Sequence, residues 1–119
     1  MKISGDIRLP DNILMDIFEI LSNLVDNALR EIEGQYLGLL KIHLYESYGQ
    51  LSIQIANTVI SSIDIEQMYT SNHVESESGY GLRRVREIVY NHPNMEHLTF
   101  KSGMFEGKEI LVQQIIIIQ

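Results

Sequence analysis

From Ile13 to Ile32, apolar side chains recur at Leu14, Ile17, Phe18, Leu21, Leu24, Val25, Ala28 and Ile32. Intervals of three and four residues mark one face of an α-helix. They predict a long amphipathic helix that starts at Pro10-Asp11-Asn12 and closes at Gly34, a residue suited to the left-handed end of a helix. "MKISGDI" ahead of it predicts a short first strand. Beyond Gly34 the period changes to two. Leu40, Ile42 and Leu44 face one way, and Lys41, His43 and Tyr45 the other. After Tyr48-Gly49-Gln50 the alternation resumes at Leu51, Ile53 and Ile55, which predicts a β-hairpin.

From Thr58 to Gly79 the pattern decays. "SSIDIEQMYTSNHVESES" has no sustained period and predicts a long loop with at most one helical turn. Loops of this length in a compact domain are uncommon and are usually functional or mobile. "GYGLRRVREIVYNHP" then opens on two glycines and carries Leu82, Val85, Ile88 and Val89 at helical spacing, stopped by Pro93. "EHLTFKS", "GMFEG" and "KEILVQQIIII" read as two strands around a turn. The predicted order is strand, long helix, two strands, loop, helix, two strands. That order specifies an α+β fold, a two-layer α/β sandwich with helices on one face of a mixed, mostly antiparallel sheet.

Composition narrows what such a sandwich does. The 119 residues suffice for a single domain with one core, and apolar (45%) and charged (21%) fractions are those of a soluble globular protein. Without cysteine there is neither a disulfide framework nor a thiolate metal site. The four histidines, His43, His73, His92 and His97, are scattered and form no ligand motif. A net charge of −7 and a pI near 4.9 argue against nucleic acid or an anionic membrane surface as a partner. "ILVQQIIIIQ" is too short to span a bilayer.

Asn23 and Asn27 stand out in the long helix. Asparagine competes for backbone hydrogen bonds and is a mediocre helix former, yet two lie four residues apart at the rim of the apolar face that runs from Ile20 and Leu24 to Leu29. One reading is that each amide bonds locally and the spacing is accidental. The other depends on "SESGYGLRRV", a glycine-bracketed turn entering a helix. Such a turn lets backbone N–H groups approach phosphate oxygens, aided by the helix dipole. Asparagine amides opposite that turn, with a long loop between the two, fit a polyphosphate and its Mg²⁺, a cation that takes few protein oxygens beside phosphates and water.

"LSNLVDNALREI" resembles the N box of the GHKL superfamily (Bergerat-fold ATPases), and "GYGLRRVREIV" resembles its second glycine box. The order of elements is also similar, and the resemblance covers nearly the whole chain. It looks most like the ATP-binding catalytic domains of sensor histidine kinases of the peptide-pheromone, quorum-sensing type. The resemblance implies that Asn27 completes the Mg²⁺ shell of bound ATP. It puts Asn23 where hydrolysing relatives hold a glutamate that activates water. It also makes Gly79, Tyr80, Gly81 and Leu82 part of the nucleotide site. Arg30 falls where relatives carry a phosphate-contacting lysine, or else is a solvated helix-face charge. Asn57, in "IANTVISS", takes the position of the aspartate that binds the adenine amino group, or else makes a strand-end turn. The glycines of that first box are absent, and the loop lacks a phosphate-directed lysine while carrying Glu75 and Glu77.

An amide at Asn23 cannot act as a base, which favours transfer of the γ-phosphoryl to another acceptor over hydrolysis. No histidine here has the context of a phosphoacceptor. The expectation is therefore a single catalytic domain over residues 1–119. Its cofactors are ATP and Mg²⁺, and its partner is an acceptor-histidine dimerisation domain outside this chain. A response regulator acts downstream. The domain is expected to be monomeric and cytoplasmic, part of a membrane-anchored parent, with no nucleic-acid or direct membrane contact. The alternatives are a serine kinase of the anti-sigma-factor type and a degenerate docking module of the same fold.

Overall fold

A computed structural model of the chain describes residues 2–3, 7–8, 11–60 and 77–118. The long helix α1 spans Asp11–Ile32. Its last turn closes with Glu33 N–H on the Leu29 carbonyl (3.0 Å) and Gln35 N–H on the Ile32 carbonyl (3.0 Å). Gly34, at φ +82°, supplies the left-handed residue of that cap. In place of one leading strand there are two short ones, β1 (Lys2–Ile3) and β2 (Ile7–Arg8), paired antiparallel. The alternating segments form β3 (Leu40–Ser47) and β4 (Gln50–Val59). Tyr48 (φ +51°) and Gly49 (φ +77°) join them in a two-residue turn with both angles positive, the kind whose twist matches flanking strands.

The second helix, α2, spans Glu77–Tyr90, followed by β5 (Met95–Phe105) and β6 (Lys108–Ile118). The larger sheet has the order β3-β4-β6-β5, and every pairing in it is antiparallel. β5 carries a register shift between Lys101 and Met104, where Gly103 takes φ +80°. Both described helices lie on one face. Leu14, Ile17, Ile20, Leu24 and Ala28 of α1 and Leu82, Val85 and Ile88 of α2 meet Leu51, Ile53 and Ile55 of β4 and Ile115 and Ile117 of β6 in one core. None of the helices among the described residues is long and apolar enough to cross a membrane.

Two differences from the sequence pattern have physical causes. The predicted loop Thr58–Gly79 is trimmed at both ends, because β4 continues through Val59 on its ladder with β6 and α2 already begins at Glu77. Residues 61–76 of that predicted loop, including His73 and Glu75, lie outside the described residues. Within α1, Phe18 and Leu29 are about half exposed instead of buried. α1 seats on β4 and beside α2, so the flank bearing those two residues turns toward edge strand β3, whose Ile42 and Leu44 are equally uncovered.

Candidate functional site

The two helices run antiparallel, and two side-chain pairs fix their register. Arg84 of α2 donates to the Glu19 carboxylate of α1 through Nε and through Nη2 (3.1 Å). Nearer the start of α1, Asp16 pairs with His92, just beyond the end of α2. Stepping one turn along α1 from Glu19 reaches Asn23, and a second turn reaches Asn27. The matching steps back along α2 from Arg84 reach Tyr80 and Gly81, then Glu77. At 1.5 Å per residue each step is about 6 Å. Asn23 and Asn27 share the flank of Asp16 and Glu19, so the register brings both level with the first two turns of α2.

That end of α2 has the properties of an anion site. The first four N–H groups of a helix have no partner within it, and the aligned peptide dipoles give this terminus a partial positive charge. Gly79 and Gly81 are themselves helical, where the sequence predicts a turn leading into the helix. Near a helix start glycine is tolerated, and it leaves the backbone open to close approach. Leu82 is a core residue, 6% exposed, so its side chain serves packing and only its backbone could face a ligand.

Asn27 is half-buried, and its Nδ2 is sealed from solvent without a hydrogen-bond partner among the described residues. A buried orphan amide is costly unless something bonds to it. Arg30, in the last turn of α1, is exposed. Asn57 lies on the helix-facing side of β4, in register with Leu40 and Leu111, and is 4% exposed. It is a strand residue, and its Nδ2 donates to the Thr58 carbonyl (3.1 Å). Since the C-terminal end of α1 and the Thr58 end of β4 are tied together by Gln35 (Nε2 to Glu31 O 2.6 Å, to Thr58 O 2.9 Å), Asn27 and Asn57 belong to the same end of the sandwich.

A groove of about 640 Å³ lies between α2 and β5, lined by Arg86, Tyr90, His92, Met95, His97 and Thr99 among others. It adjoins the C-terminal part of α2, the far end from Gly79 and Gly81, and includes none of the predicted site residues. The three described histidines are all outside helices: His43 is exposed with its ring tilted against Tyr45, His92 pairs with Asp16, and His97 bonds Gln113 (2.7 Å). Burial holds His97 below the usual imidazole range, Arg86 adds to that, and the Gln113 bond opposes it. Burial also raises the Glu31 carboxyl.

A family model described as the GHKL domain matches residues 13–117. The chain belongs to the GHKL family. Among solved structures, this GHKL domain is similar to two nucleotide-free crystal forms of the catalytic domain of histidine kinase ThkA, each at 20% identity with a TM-score of 0.60. The alignments cover 85% of this chain and 65% and 66% of the ThkA domain, so the chain spans slightly under two thirds of its length. At that identity the likeness concerns the fold. No curated protein sequence matches this chain.

Sequence reasoning missed Glu19, Arg84, Gln35 and Thr58. The first two register the helices across 65 residues of chain and the second two bridge 23, so neither pair leaves a local signal.

Proposed function

We propose that this GHKL domain is the ATP-binding catalytic domain of a sensor histidine kinase of the peptide-pheromone type. It hands the γ-phosphoryl of Mg-ATP to a histidine on a separate dimerisation domain. The parent is membrane-anchored with this domain in the cytoplasm, and a response regulator receives the phosphoryl group. The observation that carries the reading is the antiparallel helix register, which sets the Asn23–Asn27 flank level with the glycine-bearing start of α2. Two amides opposite a helix start, whose first N–H groups have no partner within the helix, suit a polyphosphate better than any neutral ligand.

Each residue then has a task within its chemistry. The α2 terminus binds phosphate oxygens through backbone N–H groups. Asn27, whose amide has an unpartnered buried atom, fits a metal–phosphate cluster, its carbonyl oxygen contributing one ligand to Mg²⁺. The ion supplies charge neutralisation on the triphosphate when bound. Asn57 accepts a hydrogen bond from the adenine amino group through Oδ1. Asn23 contacts phosphate without activating water, since an amide holds no basic lone pair. Catalysis is positioning and electrostatics, and the acceptor is brought from outside.

The test is labelling with γ-labelled Mg-ATP. Alone, the domain should neither label itself nor hydrolyse ATP appreciably. A separately prepared dimerisation domain with its acceptor histidine should take up label, slowly, since no tether raises its effective concentration to about the mM range. Label on His43, His73, His92 or His97 of the domain itself would overturn the split-domain reading, and rapid hydrolysis would overturn the role of Asn23.

A further inference from the structure

An asparagine at the base-recognising position raises a question that an aspartate does not. A carboxylate presents only acceptors, whereas an amide presents a donor or an acceptor depending on which way it is turned. Adenine offers a donor amino group at the position where guanine offers a carbonyl acceptor. A freely turning Asn57 would therefore serve either base.

Asn57 is not free to turn. Its Nδ2 donates to the Thr58 carbonyl at 3.1 Å, so Oδ1 is the acceptor left to meet a ligand. That carbonyl is held in turn. Gln35 Nε2 donates to it at 2.9 Å and to the Glu31 carbonyl at 2.6 Å. Thr58 Oγ1 donates to Gln35 Oε1 at 2.7 Å and accepts from Leu39 N–H at 3.0 Å. Thr58 N–H donates to the Leu39 carbonyl at 3.1 Å. Every polar group of Thr58 is engaged, and the residue is fully buried. The carbonyl that orients Asn57 is thus located from the end of α1 and from the connection into β3.

We propose that Gln35 is a positioning residue that sets the base specificity of the site. Through the Thr58 carbonyl it keeps the Asn57 amide oxygen presented to the ligand, so that an adenine nucleotide is accepted and a guanine nucleotide meets acceptor against acceptor. The inference rests on the nucleotide-binding reading above. A site built to bond one exocyclic group rejects the analogue that lacks it, because a buried polar group is then left unpaired.

The experiment compares Mg-ATP and Mg-GTP affinity by calorimetry in the wild type, in Gln35→Leu and in Gln35→Leu/Asn57→Asp. The wild type should prefer ATP. Gln35→Leu should reduce the preference by about tenfold, the size of one misdirected hydrogen bond, with GTP binding unchanged or stronger. The double variant should regain the preference, because a carboxylate has no donor end to turn outward. Gln35→Glu, which keeps the Oε1 acceptor and removes the donor to Thr58, gives the same reading if the leucine variant does not fold. Equal weakening for both nucleotides, or a double variant that does not recover, overturns the inference and leaves nucleotide binding standing. A wild type that binds neither nucleotide overturns the functional reading and this inference together.

Discussion

Arg84 of α2 grips the Glu19 carboxylate of α1 with two guanidinium nitrogens, one turn away from Asn23. The pair fixes the sliding register of the helices that flank the candidate site. The hydrogen bond from Arg84 is the main reason the Glu19 carboxyl is held below the usual carboxylate range. A carboxyl with a depressed folded pKa stabilises the fold above its unfolded value, near 4.5, and loses that contribution as pH falls through the lower folded value. Glu19→Gln should therefore lower the melting temperature slightly at neutral pH and flatten its decline in acid. Both side chains are about two-fifths exposed, so added salt should shrink the difference. Thermal melts from pH 7 to 3, with and without salt, measure this. Parallel curves would mean that the Glu19 carboxyl contributes no pH-dependent stability.

Asn27→Ala should leave the fold intact and weaken Mg²⁺-dependent nucleotide binding. The side chain stands at the edge of the core next to Leu24 and Ala28, and its amide already has an unpartnered atom, so truncation breaks no described hydrogen bond. The affinity for Mg-ATP should fall about ten- to hundred-fold, the size of a lost charge-assisted contact. Titration with an ATP analogue with and without Mg²⁺ is the measurement. An affinity unaffected by the substitution in the presence of Mg²⁺ would remove Asn27 from the site.

The architecture was legible because period-three-and-four and period-two patterns are local. α1, the β3–β4 hairpin and the β5–β6 pair all follow from side-chain alternation and from Gly34, Gly49 and Gly107, each at positive φ. The exposed flank of α1 was not legible. Phe18 and Leu29 belong to the apolar stripe by spacing, and only the width of the sheet beneath them decides whether they are covered. The asparagines of the candidate site stood out because their chemistry is unusual for a helix, and the glycines because they read as a turn leading into one. Their support was not legible: Glu19, Gln35 and Thr58 are ordinary residues whose importance comes from what they reach.

His97 should make stability depend on pH in a different window from Glu19. Its Nε2 bonds Gln113 Oε1, and burial resists its protonation in the folded state. The unfolded chain takes up that proton near the ordinary value of 6.5, the folded chain only at lower pH. Stability is therefore complete above 6.5 and falls as pH drops toward the folded value. His97→Leu should remove this component, so that the change in melting temperature between pH 7 and 5.5 is smaller than in the wild type. Melts at those two pH values, with an NMR titration of the ring, check it. A ring that titrates at or above the unfolded value would refute the assignment.

Gly81→Ala should move stability and nucleotide binding in opposite directions. Gly81 is the fifth residue of α2 and helical, so alanine needs no unfavourable backbone angle there. Replacing glycine by alanine inside a helix stabilises it by about 1 kcal/mol, which corresponds to a melting temperature higher by roughly 4 °C. The proposal brings a triphosphate against the backbone of this first part of α2, so ATP-analogue affinity should fall by about tenfold, an amount one crowded hydrogen bond explains. Ordinary structural damage would lower both quantities together. A purely structural glycine would allow higher stability with affinity unchanged. Thermal melts and calorimetric titration on the same preparation separate the three cases. Only a more stable protein that binds nucleotide less well supports close approach of the phosphates to the start of α2.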